Sequence, residues 1–386
     1  MSVAIRGNWN YPTSIWAGPG RLSELPRAVA VTSIGRPLLV TDQGLAGATL
    51  FARAKELLPN APTFTEVAGN PGGRHVAAGL HAFRAGSCDG VVAIGGGSAL
   101  DVGKLVAFMA RQTRPLWDFE DIADWWTRAD AAAIAPVVAI PTTAGTGSEV
   151  GRAGVVVQEE THQKKIIFHP QMMPRIVISD PELTVGLPPA ITAATGMDAL
   201  VHCFEAFCAP GFHPLADGIA LEGMRLIDIY LPRAYVDGTD IEARAHMLAA
   251  ASMGATAFQK GLGAVHAIAH PVGSWFNSHH GLTNAVLLPY VMAFNRDAIG
   301  EKCERIARAL NLPKGGFAGV YEWILRLRSR LGIPHALAQI GVDSRNAETI
   351  GQEAAKDPSA SGNPKPVNAS QLEGIFLRAL EGRLEI

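Results

Sequence analysis

The sequence predicts two domains, an α/β domain built on a parallel sheet and then an all-α domain. Three observations predict this. Short β-branched runs that end in glycine or an acid alternate with helical stretches through the first half. Those runs largely stop after Asp180-Pro181, and from Pro188 onward alanine, leucine and methionine recur at helical spacing. At 386 residues the chain is also long for a single core. The boundary is expected where DPELTVGLPP supplies proline punctuation, giving domains of residues 1–185 and 186–386.

The elements follow in order. Pro37-Leu38-Leu39-Val40-Thr41-Asp42 reads as a strand ending in an acid. Asp89-Gly90-Val91-Val92-Ala93-Ile94 reads as a buried strand running into Gly95-Gly96-Gly97-Ser98. Val137-Val138-Ala139-Ile140 is a third, leading into PTTAGTGSEV, with further strands expected at residues 154–158 and 175–179. Continuous apolar runs suit strands covered on both faces, so the sheet is expected to be parallel with helices on both sides. In the second half, IEARAHMLAAASMGATAFQ and EKCERIARALNL carry helical periodicity. The polar stretch from Lys356 to Ser370 reads as a loop before a last helix.

Composition narrows the classes. A net charge of −2 advertises neither nucleic acid nor an anionic membrane. No apolar run approaches the ~20 residues that span a bilayer. The first twenty residues lack the apolar core of a signal peptide. Cys88, Cys203, Cys208 and Cys303 form no regular framework, so reduced thiols and a cytoplasmic location are expected.

Two loops suit a nucleotide. GGGSALDVGK places glycines between a strand and a helix, where small residues admit a phosphate to the backbone and the helix N-terminus offers free N–H groups. It is neither the GxGxxG pattern nor a Walker motif, since five residues separate Gly97 from Gly103 and Leu105 follows the lysine. PTTAGTGSEV adds a second donor-rich loop after a second strand. Asp42 at a strand end can bond an adenosine ribose and repel a 2′-phosphate, which favours NAD over NADP. An N-cap or surface aspartate fits the same spacing.

The second half concentrates metal-ligand chemistry. Seven of the twelve histidines lie between His202 and His280. Asp198/His202 and His266/His270 are spaced i, i+4, which puts each pair on one helix face. His279-His280-Gly281 begins nine residues after His270. One carboxylate and several imidazoles suit a divalent cation in an N/O site. Spacing alone leaves open which histidines bind and which one relays protons.

Through these segments the chain resembles the iron-containing (type III) alcohol dehydrogenase family. GGGSALDVGK, PTTAGTGSEV, DPELTVGLPP, ITAATGMDALVHCFEAF, GLGAVHAIAHPVG and HHGLTNAVLLPYVM carry the resemblance in the right order. It implies a Rossmann-like nucleotide domain, a helical metal domain, and the site in a cleft. It implies that Asp198, His202, His266 and His280 hold Fe²⁺, with Zn²⁺ also suited to the donor set. His270 matches a histidine beside the metal, implied to relay the proton, and His279 matches a non-ligand position. Asp42, Asn70, Gly96, Gly97, Ser98, Thr142, Thr143 and Thr146 match NAD-binding positions. Lys164 matches a lysine that approaches the cofactor ribose, with Lys165 its only rival. A homodimer or an assembly of dimers is implied, paired through the N-terminal segment.

The implied reaction is hydride transfer between a small primary alcohol and NAD, the metal acting as Lewis acid on the substrate oxygen. Phe258, Trp275 and Phe276 are candidates for an apolar wall. Phe258-Gln259-Lys260-Gly261 departs from a common family version, and Lys260 and Arg152 could add positive charge, which suggests an ω-hydroxy acid such as 4-hydroxybutyrate. The alternatives are a maleylacetate reductase or a glycerol-type polyol dehydrogenase of the same superfamily, and from another class a metal-dependent hydrolase or lyase. The last leaves both nucleotide loops unexplained.

Overall fold

The structure, a computed structural model, describes residues 7–9 and 13–384. The N-terminal segment implied to pair subunits falls partly on residues 1–6 and 10–12, outside the described residues. The chain forms two compact units, residues 1–143 with 147–186, and residues 144–146 with 187–386.

The first unit contains nine described strands: β1 (Gly7–Trp9), β2 (Ser14–Ala17), β3 (Pro37–Asp42), β4 (Thr63–Val67), β5 (Gly90–Gly95), β6 (Val137–Pro141), β7 (Ala153–Gln158), β8 (Gln163–Phe168) and β9 (Ile176–Ser179). Seven of them form one sheet in the order β1-β2-β9-β6-β5-β3-β4. Every pairing in it is parallel except β1 with β2. Helices α1 (Leu25–Val31), α2 (Thr49–Leu57), α3 (Gly73–Ala85) and α4 (Gly97–Met109) connect the strands. The runs expected as strands from Pro37, Asp89 and Val137 and over residues 175–179 all lie in this sheet.

The run at residues 154–158 is a strand, β7, but it pairs antiparallel with β8 in a separate hairpin. Its burial alternates, as befits a ribbon covered on one face only. Strand β4 escapes a search for continuous apolar runs because Thr63-Phe64-Thr65-Glu66-Val67 mixes polar with apolar residues at a sheet edge. Helix α4 is buried from Ala99 through Met109. Its Leu105 and Phe108 pack with Val156 of β7 and Ile167 of β8.

The strand order places the functional edge of this unit. After β3 the chain moves outward to β4, and after β5 it moves the other way to β6. The carboxyl ends of β3 and β5 therefore flank the switch point where open α/β sheets bind ligands.

The second unit is helical: α5 (Pro189–Cys208), α6 (Pro214–Val236), α7 (Ile241–Ala257), α8 (Ala264–Phe276), α9 (His280–Asn295), α10 (Gly300–Ala309), α11 (Gly316–Arg330), α12 (Ala347–Lys356) and α13 (Ala369–Glu381). Helix α5 is central, packing against α6, α7 and α9. Its alanines and large apolar side chains join one continuous core. The short stretch Ala144–Thr146 packs with this unit because Thr195 of α5 lies directly on Gly145. The expected loop after Lys356 contains a 3-10 turn, Pro358–Gly362, before α13 begins. No described helix is long and apolar enough to cross a membrane.

Candidate functional site

In the second unit, α5 presents Asp198, His202 and Glu205 at i, i+4 and i+7, on one face of the helix. Helix α8 brings His266 and His270, and α9 begins at His280. Gly281 makes the last approach possible, since a Cβ there would lie 2.5 Å from the Ala194 carbonyl oxygen and 3.0 Å from Asp198 Cβ. One donor atom from each of Asp198, His202 and His266 lies within 4.8 Å of the others, and all three residues are buried. The His280 Nε2 is 3.8 Å from Asp198 Oδ1, beside the 3.9 Å approach of His266 Nε2 to the same oxygen.

The polar accounting of this cluster fits a cation. The Asn284 amide nitrogen lies 2.7 Å from Asp198 Oδ1, 3.2 Å from His266 Nε2 and 3.2 Å from His280 Nε2. A carboxylate oxygen and two ring nitrogens thus converge on one amide, a donor set that suits a divalent cation. Burial also pushes His202 down to about 4, against the opposing pull of Asp198, so its imidazole is neutral and able to coordinate.

Two carboxylates that sequence reasoning missed hold the histidines. Glu205 lies 2.6 Å from His266 Nδ1 and also accepts the Val265 N–H at 2.8 Å. Burial would lower the His266 pKa, but hydrogen bonding and charge from Glu205 outweigh it and hold the imidazole above its ordinary value. Asp357 lies 2.7 Å from His270 Nδ1. Burial pushes this carboxyl up, but His270 and the Ser359 N–H outweigh it and hold it below the usual range. The His270 and His280 rings stack at 5.4 Å. Glu205 had a signal, its position three residues after His202. Asp357 had none, since 87 residues separate it from His270.

The remaining candidates sort cleanly. His279 caps α9, its Nδ1 accepting the Leu282 N–H at 3.3 Å. Phe258 packs on the His202 ring at 5.0 Å. Trp275 is 39% exposed and donates to Glu353 at 3.1 Å, while Phe276 packs against the helical core. Lys260 does not supply a spare charge, because its buried ammonium lies 2.6 Å from Asp217 and bonds the Phe207 carbonyl at 3.3 Å. Arg152 sits over the Phe168 ring at 5.6 Å.

In the first unit the nucleotide candidates gather at the switch point. Gly95, with φ of 147°, ends β5 where a Cβ would meet Ala99 Cβ at 2.7 Å and Asp42 Oδ2 at 3.0 Å. This sets the Asp42 carboxylate beside the glycine turn. Its Oδ1 accepts the Leu45 N–H at 3.0 Å, and burial raises its pKa. Gly96 precedes α4, whose N-terminus, starting at Gly97 and Ser98, has no side-chain cap. Thr142 donates its N–H to Gly95 O at 3.0 Å, and Thr143 lies against Gly96. Thr146 belongs to the stretch that packs with the second unit.

Asn70, in the left-handed region at φ of 49°, precedes Pro71, whose carbonyl accepts the Val157 N–H at 2.8 Å. Val157 is the cross-strand partner of Lys164, so the GNPGG loop and Lys164 share a neighbourhood. Lys165 points elsewhere and pairs with Glu120 at 2.9 Å. Two polar members of GGGSALDVGK, Asp101 and Lys104, prove structural. Asp101 accepts from Ser148 Oγ at 2.5 Å and the Val155 N–H at 3.0 Å, and lies 3.1 Å from the Lys104 ammonium. Lys104 is buried and donates to the carbonyls of Ser148 and Ala153. This pair locks the loop after β6 to α4.

The comparisons agree along the whole chain. Residues 12–181 match the family Iron-containing alcohol dehydrogenase, and residues 192–380 match the Fe-containing alcohol dehydrogenase family, C-terminal. The chain is 39% identical to a 4-hydroxybutyrate dehydrogenase of Cupriavidus necator, covering 96% of this chain and 99% of that protein. It is 33% identical to an NAD-dependent methanol dehydrogenase of Bacillus methanolicus, covering 97% and 100%. A solved 1,3-propanediol oxidoreductase superposes with a TM-score of 0.89 at 34% identity, covering 95% of this chain and 97% of that one. The chain belongs to the iron-containing alcohol dehydrogenase family, as a metal-dependent, NAD(H)-linked oxidoreductase acting on CH–OH groups.

Proposed function

We propose that Asp198, His202, His266 and His280 hold the metal and that the physiological substrate is a short ω-hydroxy acid or its semialdehyde, 4-hydroxybutyrate first among them. The observation that carries the site is the convergence of a carboxylate oxygen and two imidazole nitrogens on the single Asn284 amide. A bound divalent cation would supply Lewis-acid polarisation of the substrate oxygen, and bound NAD would supply the hydride acceptor. The cofactor is read as lying along Asp42, Asn70, Gly96, Gly97, Ser98, Thr142, Thr143, Thr146 and Lys164, where backbone N–H groups and hydroxyls position it. His270 is read as the proton relay. Its Nδ1 lies against Asp357, which leaves Nε2 to carry the relayed proton.

The acid substrate is supported by the 4-hydroxybutyrate dehydrogenase of Cupriavidus necator at 39% identity over nearly the whole chain. Lys260 is committed to Asp217 and adds no spare positive charge for a distal carboxylate. Four buried free thiols support a reducing, cytoplasmic location. A homodimer or an assembly of dimers completes the reading.

An NADH absorbance assay tests the substrate. Succinate semialdehyde is expected to exceed butanal in kcat/KM. Equal values for the two aldehydes would dismiss the acid substrate.

A further inference from the structure

We propose that Glu205 is a positioning residue for the metal cluster, fixing the tautomer and aim of His266 and so setting the cluster's affinity for a divalent cation. The inference builds on the reading that Asp198, His202, His266 and His280 hold that cation.

Glu205 lies three residues after His202 on α5 and is only 5% exposed. Both its oxygens are engaged. Oε1 accepts the Val265 N–H at 2.8 Å, in the first turn of α8, and Oε2 lies 2.6 Å from His266 Nδ1. The backbone yields to it at Gly263, where a Cβ would lie 2.8 Å from Oε1. The carboxylate therefore bridges two helices and grips both the main chain and the side chain around one ligand.

An ionised carboxylate accepts hydrogen bonds and donates none. His266 must then carry a proton on Nδ1 to satisfy it. In the neutral ring this leaves the Nε2 lone pair directed at Asp198, 3.9 Å away, and at the Asn284 amide. Carboxylates behind metal-bound imidazoles orient the ring and raise its basicity, and their loss typically costs about 10–100-fold in metal affinity. A bland role competes with this one, in which Glu205 merely caps α8.

The variant Glu205→Gln separates the two. Its amide oxygen keeps the bond from Val265, so the cap survives. Its amide nitrogen must donate to His266 Nδ1, which moves the ring proton to Nε2, the atom needed for coordination. Zn²⁺ affinity of the full chain, measured against a chromophoric chelator, is expected to fall about 10–100-fold. The melting temperature of the metal-free variant should stay within a few degrees of the parent. Glu205→Asp should recover part of the affinity.

Wild-type Zn²⁺ affinity in Glu205→Gln would overturn the proposal and leave Glu205 a cap. His266→Ala serves as the control. If it binds Zn²⁺ like the parent, the reading of the cluster itself fails. If it loses Zn²⁺ while Glu205→Gln does not, only the role of Glu205 fails. A measurement on the unaltered chain covers misfolding of the variants. With Co²⁺ bound, one paramagnetically shifted imidazole N–H should exchange slowly in D2O, protected by Glu205. Rapid exchange of every such proton would equally overturn the proposal.

Discussion

The two candidate sites are built from opposite materials. The nucleotide loops of the first unit rely on backbone, on glycines that leave room and on an uncapped helix N-terminus. Their charged residues, Asp101 and Lys104, are used as struts that hold the loops in place. The candidate metal cluster of the second unit relies on side chains, each held by another side chain: His266 by Glu205, His270 by Asp357, Asp198 by Asn284. A backbone site is sensitive to added volume and to the loss of its struts. A side-chain site is sensitive to the loss of single functional groups and to protons.

The sharpest break of this comparison is His266→Ala. It should abolish stable metal binding and lower kcat/KM by about 10⁴-fold, ~5 kcal/mol of transition-state stabilisation. Metal analysis and the NADH assay together check it, and a fully active, metal-free variant would refute the cluster. Lys104→Met tests the struts. It leaves Asp101 as a buried charge without its cation and should cost about 3–5 kcal/mol of stability. Chemical denaturation measures this, and an unchanged midpoint would mean that the lysine is not a strut.

Protons give the next effect. His202 has a folded pKa of about 4 against an ordinary 6.5, so on acidification the unfolded chain binds its proton first. The metal-free protein should lose about 3 kcal/mol from this group between pH 6.5 and 4. His266 acts in the other window. Its stabilising contribution is complete below 6.5 and is lost as pH rises through its raised folded value. Chelated protein should therefore melt highest near pH 6.5, and melting temperatures that rise toward pH 4 would contradict the burial argument. The smallest effect is expected at Asp42. Asp42→Ala removes the carboxylate beside Gly95 and should shift cofactor preference toward NADP about 10-fold, ~1.4 kcal/mol. An unchanged NAD/NADP ratio of kcat/KM would show that the acid does not face the ribose.

The architecture was largely legible because its main signals are local. Continuous apolar runs marked β3, β5, β6 and β9, and the change to helical spacing marked where α5 begins. The edge strand β4 and the hairpin partner β8 were missed, since each mixes polar with apolar residues. The hairpin also took β7 out of the expected parallel sheet, a pairing that no feature of residues 154–158 announces. At the metal cluster the i, i+4 pairs gave Asp198, His202, His266 and His270, and Glu205 could have been found on the same stripe. Asn284 and Asp357 could not, because what they do depends on which helices pack together.

The sequence by itself determined the two halves, the glycine loops and the shortlist of ligands, because strand and helix periodicity and residue chemistry are properties of neighbours along the chain. Only the tertiary structure decided the role of each charge. Lys104 became a strut, Lys260 a partner of Asp217, and His279 a cap, while Glu205, Asp357 and Asn284 joined the site. The reason is that a buried polar group must find a partner wherever packing places one, and packing brings together residues that lie 61 to 87 positions apart.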